Sequence, residues 1–301
     1  MLRRLVLAVT GWSPIRRIFT ERRWGRAVAG RFVAGGTLDD AVAAAIRLNR
    51  EGAAVSLNHL GEYVMDPTEA RRARDHYLVS LDRIRTEGLD ANISVKLTQL
   101  GLVIDAELAA QSLRSLAQAA AEAGTTITID MEDSSYTQAT VDLFAAVQRE
   151  FGNLGVALQA YLRRTEGDLT RLAPLGGHLR LCKGAYKESR TVAFQRRRQV
   201  DAAFDRLLGT LMSAETTRPA VATHHEGRIV LAKRLERDRG GPFEFQMLYG
   251  VRSRLQRELI AEGYPLRVYL PYGVNWYPYL TRRIAERPAN LRFFVRALLG
   301  R

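Results

Sequence analysis

The sequence predicts an α/β fold, a closed (β/α)8 barrel, on three observations. Eight short apolar runs recur along the chain, at 53–58, 92–97, 126–129, 156–160, 179–182, 219–223, 243–247 and 267–270. Helix-like stretches such as 105–122 and 135–151 fill the gaps, each long enough for the roughly 12 residues that a parallel crossover needs. No glycine-rich dinucleotide turn follows the first run near Asn58, as a doubly wound open sheet would normally show. The length agrees, since single α/β barrels reach 301 residues.

Taken in order, the chain opens on MLRRLVLAVTGWSPIRRIFTERRWGR. Its apolar core, 5–9, is shorter than the roughly 7–15 residues of a secretory signal, and no small-residue cleavage site follows. Trp12, Ile15, Ile18, Phe19 and Trp24 stand among arginines. That pattern suits a basic amphipathic segment on a membrane surface, or equally a helix packed on the protein body. Residues 38–50 read as an alanine-rich helix with Asp39 and Asp40 near its start. Residues 1–50 are expected to form an N-terminal helical arm and 51–301 the barrel.

Composition narrows the classes. An apolar fraction of 47% with 26% charged residues excludes a mainly disordered or collagen-like chain. No run of about 18 uncharged apolar residues is present, so no membrane-spanning helix is expected. The lone cysteine, Cys182, excludes an intrachain disulfide and a cysteine-built zinc cage, and fits a reducing cytoplasm. The net charge is +13, with 45 basic against 32 acidic residues. Nucleic acid, an anionic membrane or an acidic small molecule would each suit it, as would a solvated arginine surface.

A barrel enzyme works at the C-terminal ends of its strands. Polar groups recur there: Lys96 after the second run, Asp130 to Asp133 after the third, Gln159 and Tyr161 on the fourth, Arg180 and Lys183 on the fifth. Thr223, His224 and His225 close the sixth, Gln246 lies in the seventh, and Tyr269 and Tyr272 in the eighth. Buried polar groups are costly unless paired, so packing alone does not explain them. Each has a plainer use. Lys96 can pair with a carboxylate, Asp130 can cap the next helix, and Gln159 can satisfy a buried backbone group. Adjacent strand histidines point to opposite faces, so at most one of His224 and His225 faces a site. Further on, Arg282 and Glu286 share a helix face, as do Arg283 and Arg287. Paired arginines suit bidentate capture of a carboxylate or phosphate.

Six segments resemble the proline dehydrogenase family, in the family's order. They are ISVKLTQLGL (93–102), TIDMED (128–133), QAYLRRTEGDL (159–169), RLCKGAYKE (180–188), FEFQMLYGVR (243–252) and RVYLPYGVNWYPYLTRRIAERPAN (267–290). The layout is most similar to the short single-activity bacterial form. The resemblance implies a distorted (β/α)8 barrel of the TIM type, with FAD at the strand C-termini and a final helix capping the mouth. It implies oxidation of L-proline to Δ1-pyrroline-5-carboxylate, with electrons passing to a membrane quinone.

By the same resemblance, Arg282 and Arg283 clamp the proline carboxylate with Lys96, and Glu286 ion-pairs with that lysine. Asp130 and Arg180 are the expected catalytic residues, one beside Lys96 and the other near the flavin nitrogen. Tyr186 and Tyr269 line the substrate. Met131, Gln159, Lys183, Gly184, Ala185, Thr223 and His224 join Arg180 around FAD. His225 departs from the asparagine or aspartate that often follows the first histidine. The expected partners are L-proline and a quinone, with peripheral contact to anionic membrane at the inner face of the cell membrane and no nucleic acid. A metal-dependent barrel hydrolase using His224, Asp130 and Lys96 is the alternative. The five histidines show no metal-ligand spacing.

Overall fold

The computed structural model describes residues 29–286, with 282–286 described as helix backbone. Eight strands form one closed parallel barrel in sequence order. They are β1 (Ala54–His59), β2 (Ala91–Val95), β3 (Ile127–Ile129), β4 (Leu154–Gln159), β5 (Gly177–Cys182), β6 (Thr217–Ala222), β7 (Glu244–Leu248) and β8 (Leu266–Tyr272). β8 closes the ring on β1, with Ser56 beside Tyr269. Every expected apolar run lies on one of these strands, displaced by a residue or two at its ends. The second run overshoots, because Lys96 leaves β2 for a tight turn in which its carbonyl accepts from Gln99 N and Leu100 N.

Helix α1 (Leu38–Arg50) precedes the barrel and packs on β1 and β8. Between the strands run α2 (Pro67–Thr86), α3 (Ala106–Glu122), α4 (Ser134–Phe151), α5 (Thr165–Leu172), α6 (Arg197–Ser213), α7 (Glu226–Glu236) and α8 (Ser253–Ala261); α9 (Trp276–Glu286) follows β8. Their starts are encoded locally. Asp66 caps α2 ahead of Pro67, accepting from Thr68 N and Glu69 N. Thr37 and Asp40 form a capping box at α1. Asp133 caps α4 by accepting from Ser135 N at 2.9 Å, so the cap is not Asp130.

Strand alternation splits the barrel into two registers. One register is apolar: Val55, Leu57, Ile93, Val95, Leu179, Leu181 and Phe245 are shielded from solvent and join the core built with helix residues such as Leu81 and Phe144. Burying such a side chain is worth about 1.5–3 kcal/mol. The other register is polar yet also buried, with Ser56, Asn58, Asn92, Ser94, Arg180 and Gln246. Side chains of β2, β5 and β7 touch one another in that register, which only the barrel lumen permits.

A smaller apolar cluster lies at the mouth. Ala29, Phe32 and Val33 meet Leu60 and Tyr277, Tyr279 and Leu280 of α9, with Tyr269 packed beneath. The cap helix thus sits over the strand C-termini, as expected. Backbone bonds tie the incoming chain to the end of β8, from Ala34 N to Pro271 O and from Gly273 N to Gly35 O, each 2.9 Å. Gly250, at φ +68, must be glycine, because a Cβ there would stand 1.7 Å from Arg31 O.

Candidate active site

Four strands and the turns that follow them deliver five polar side chains to a single point in the upper lumen, two of them, Ser94 and Lys96, from β2 and its end. Asp130 follows β3, its N–H held by Val95 O at 2.8 Å. Its Oδ1 accepts from Ser94 Oγ at 2.7 Å and from Arg180 Nη1 at 2.6 Å. Its Oδ2 accepts from Lys96 Nζ at 3.1 Å and Tyr269 OH at 2.6 Å. Four donors therefore saturate one carboxylate, and the plainer use foreseen for Lys96, pairing with a carboxylate, is realised with Asp130 itself.

The electrostatics follow from that pairing. Burial alone would raise the Asp130 pKa, but Lys96, Arg180 and the hydroxyls of Tyr269 and Ser94 hold it at about 2. Burial opposes the Lys96 ammonium, yet Asp130, Tyr77, Tyr186 and Glu62 outweigh it and raise its pKa above the ordinary lysine value. Tyr269 is pushed well upward by burial and by Asp130, and stays a neutral donor. The Arg180 guanidinium carbon lies 5.4 Å from the centre of the Tyr269 ring, a cation–π contact. Arg180 also donates from Nε to Gln246 Oε1 at 2.5 Å. Its Nη2 is buried without a hydrogen-bond partner among the described residues.

The remaining expected residues surround this cluster. Met131 is buried. Gln159 donates to Glu132 O at 2.7 Å, the buried-backbone role allowed for it. Glu132 accepts from Thr98 N at 3.0 Å and Thr98 Oγ1 at 2.5 Å, which ties the loop after β3 to the loop after β2. Lys183 is ion-paired with Asp201 of α6. Gly184 takes φ +104, and a Cβ there would meet the Tyr161 ring at 2.1 Å. Ala185 and Tyr186 are half-buried beside it, and Tyr186 acts on the Lys96 charge. Thr223 is buried and accepts from His225 N at 3.1 Å. His224 Nε2 accepts from Leu248 N at 3.0 Å, whereas His225 is exposed ahead of α7. Arg282, Arg283 and Glu286 fall on α9, and their side chains lie outside the described residues, as do residues 1–28.

Sequence reasoning passed over Ser94, Tyr77, Glu244 and Arg267. Tyr77 of α2 donates into the same wall, to Ser94 O at 3.1 Å. The available signal was the period of two: Ser94 precedes Lys96, Glu244 precedes Gln246 and Arg267 precedes Tyr269, each by two residues. Among the described residues no three His, Cys, Asp or Glu side chains form a metal-binding group.

Comparison with known proteins adds to this geometry. The family model described as Proline dehydrogenase matches residues 41–296. Proline dehydrogenase 1 of Bacillus subtilis strain 168 is 40% identical over 303 residues, covering 99% of this chain and 99% of that protein. Proline dehydrogenase of Deinococcus radiodurans is 37% identical over 310 residues, covering 99% of this chain and 98% of its own. Among solved structures, proline utilization A (PutA) from Bdellovibrio bacteriovorus, inactivated by N-propargylglycine, superposes with a TM-score of 0.80 at 23% identity. That match covers 86% of this chain and 32% of the PutA chain, and it bears on the fold alone.

Proposed function

We propose, because this chain belongs to the proline dehydrogenase family, that it oxidises L-proline to Δ1-pyrroline-5-carboxylate in proline degradation, with FAD as bound oxidant and a membrane quinone as electron acceptor. The observation that carries this reading is the Lys96–Asp130–Arg180 cluster buried at the strand C-termini.

The residues present fit a flavin. Arg180 Nη2 is a buried donor for which the described chain supplies no acceptor. The bare backbone at Gly184 lies flush on Tyr161 beside Lys183. When bound, FAD accepts the hydride and its two electrons from the proline ring carbon. Met131, Gln159, Arg180, Lys183, Gly184, Ala185, Thr223 and His224 would hold it.

The chain's own groups then have distinct tasks. Lys96, kept cationic by Asp130, gives the proline carboxylate a fixed positive partner. Arg282 and Arg283 of the cap helix complete that clamp, with Glu286 as a counter-charge to Lys96. A substrate this small has no better handle, and holding it converts a bimolecular encounter into a positioned one. Tyr186 and Tyr269 line the ring. Asp130, with its pKa near 2, is a poor acceptor for the ammonium proton at neutral pH; its task is to orient Lys96, Arg180 and Tyr269. Arg180 places positive charge where negative charge accumulates during reduction. The basic stretch 1–24 is the segment assigned to anionic lipid at the inner face of the cell membrane. No described helix is long and apolar enough to cross a membrane.

The purified protein is expected to be yellow and to bleach when proline is added without oxygen. A colourless protein that cannot be reconstituted with FAD would overturn the assignment.

A further inference from the structure

We infer that Gln246, anchored by the Glu244–Arg267 ion pair at the floor of the lumen, is the positioning residue that holds Arg180 with one guanidinium edge turned to the cofactor, an inference resting on the flavin reading above. An arginine and a carboxylate left to themselves form a two-pronged pair. Arg180 does not. It meets Asp130 Oδ1 through Nη1 alone, at 2.6 Å, because Oδ2 is taken by Lys96 and Tyr269 and Nε by Gln246 Oε1 at 2.5 Å. Held at Nε by Gln246 and at Nη1 by Asp130 and Ser94, the planar group cannot turn, and Nη2 stays uncommitted among the described residues.

The orientation of Gln246 is itself fixed. Its amide nitrogen donates to Glu244 Oε1 at 2.5 Å. A flipped amide would set its NH2 against a guanidinium that cannot accept and its oxygen against a carboxylate that cannot donate. Glu244 is pinned in turn, both oxygens accepting from Arg267 Nε at 2.9 and 3.1 Å, and Arg267 Nη1 reaches Val55 O at 3.0 Å. Burial opposes the Glu244 charge, but the Arg267 guanidinium and the hydrogen bonds from Gln246 and Arg267 keep its pKa below the usual value, so it remains an acceptor. The chain of contacts thus runs from the barrel floor through Gln246 to Arg180 and Asp130, crossing β8, β7, β5 and β3. Without Gln246, Nε loses its acceptor and Arg180 is held at Nη1 alone, by Asp130 and Ser94, so the guanidinium can swing about that end and the edge offered to the flavin is no longer fixed.

The test uses the holoenzyme. Wild-type protein that fails to bind FAD or to bleach with proline removes the flavin reading itself. With wild type behaving as a flavoenzyme, Gln246→Leu is measured for reduction rate, proline affinity and flavin potential. The rate at saturating proline is expected to fall about 10–100-fold while proline affinity holds within about threefold. The potential of the bound flavin moves to a more negative value, a change that a loss of packing would not produce. A variant with wild-type rate and potential, altered only in melting temperature, overturns the proposal. Should Gln246→Leu not fold, Glu244→Leu combined with Arg267→Met replaces the anchor by an apolar pair, an exchange that a buried ion pair often tolerates when both partners go together. Its flavin potential moves in the same direction, and an unchanged potential there is equally decisive against the inference.

Discussion

Along β5, Leu179 and Leu181 face the helices while His178 and Arg180 face the lumen, and all four are buried. Phe245 and Gln246 repeat the contrast on β7, and Ile93 and Ser94 on β2. The outward set needs only volume and apolarity, so many side chains would serve. Each inward one depends on a particular partner across the barrel, and losing that partner strands a charge or a donor. A barrel interior is ordinarily filled by bulky branched residues. Here the outer layer supplies the stability, and the interior carries a polar assembly that the outer layer must support.

Three measurements would break or sharpen that contrast. The largest effect is expected for Asp130→Leu, which leaves Lys96, Arg180 and Tyr269 facing an apolar group. It should cost about 3–5 kcal/mol in urea unfolding and abolish bleaching by proline. A variant as stable as wild type would mean that the inner charges are not coupled.

The next is acid sensitivity. His178 is buried in the lumen with Nδ1 unpartnered among the described residues, and burial first, with Arg267, Arg218 and Arg180 adding against an upward pull from Glu244, lowers its pKa from 6.5 to about 4. Folded protein therefore keeps it neutral while the unfolded chain protonates below about 6.5. Stability is complete above that value and declines by about 3 kcal/mol as pH falls through about 4. Asp130 has the opposite sign of charge, and its contribution is lost only as pH drops from about 3.8 toward its folded value near 2. Urea midpoints between pH 4 and 7 should thus slope in wild type and slope less in His178→Gln, the remainder coming from buried His59 and His76; equal slopes would remove His178 from the account.

The smallest effect belongs to the outer register. Ile93→Val should cost about 0.5–1.5 kcal/mol and leave proline affinity and flavin potential where they were. A change in either would show that the two registers are not separate.

How much of this could be read in the sequence follows the same division. The outer register announces itself as apolar runs, so all eight strands were legible, with errors only at ends such as the turn at Lys96. Lys96, Asp130 and Arg180 were legible as polar interruptions at strand ends. Ser94, Glu244 and Arg267 were not, because their partners are remote along the chain. Arg180 meets Ser94 across 86 residues, and Tyr269 meets Asp130 across 139. The pattern FEFQM does show Glu244 and Gln246 on one face, but nothing in it reveals the guanidinium groups on either side. His224 and His225 lie beyond the end of β6, so strand alternation does not govern them, and only the structure shows that His224 braces β7 at Leu248 N while His225 stands exposed ahead of α7.

The cover over the barrel mouth joins the first described residues, Ala29, Phe32 and Val33, to Tyr277, Tyr279 and Leu280 near the last. The ring beneath is sealed by β1 and β8, where Arg267 reaches Val55, 212 residues earlier. A ribosome must therefore translate as far as β8 and the cap helix before either closure can form. Until then the nascent chain is an open ladder, and competence for redox chemistry arrives with the cap helix rather than accumulating strand by strand.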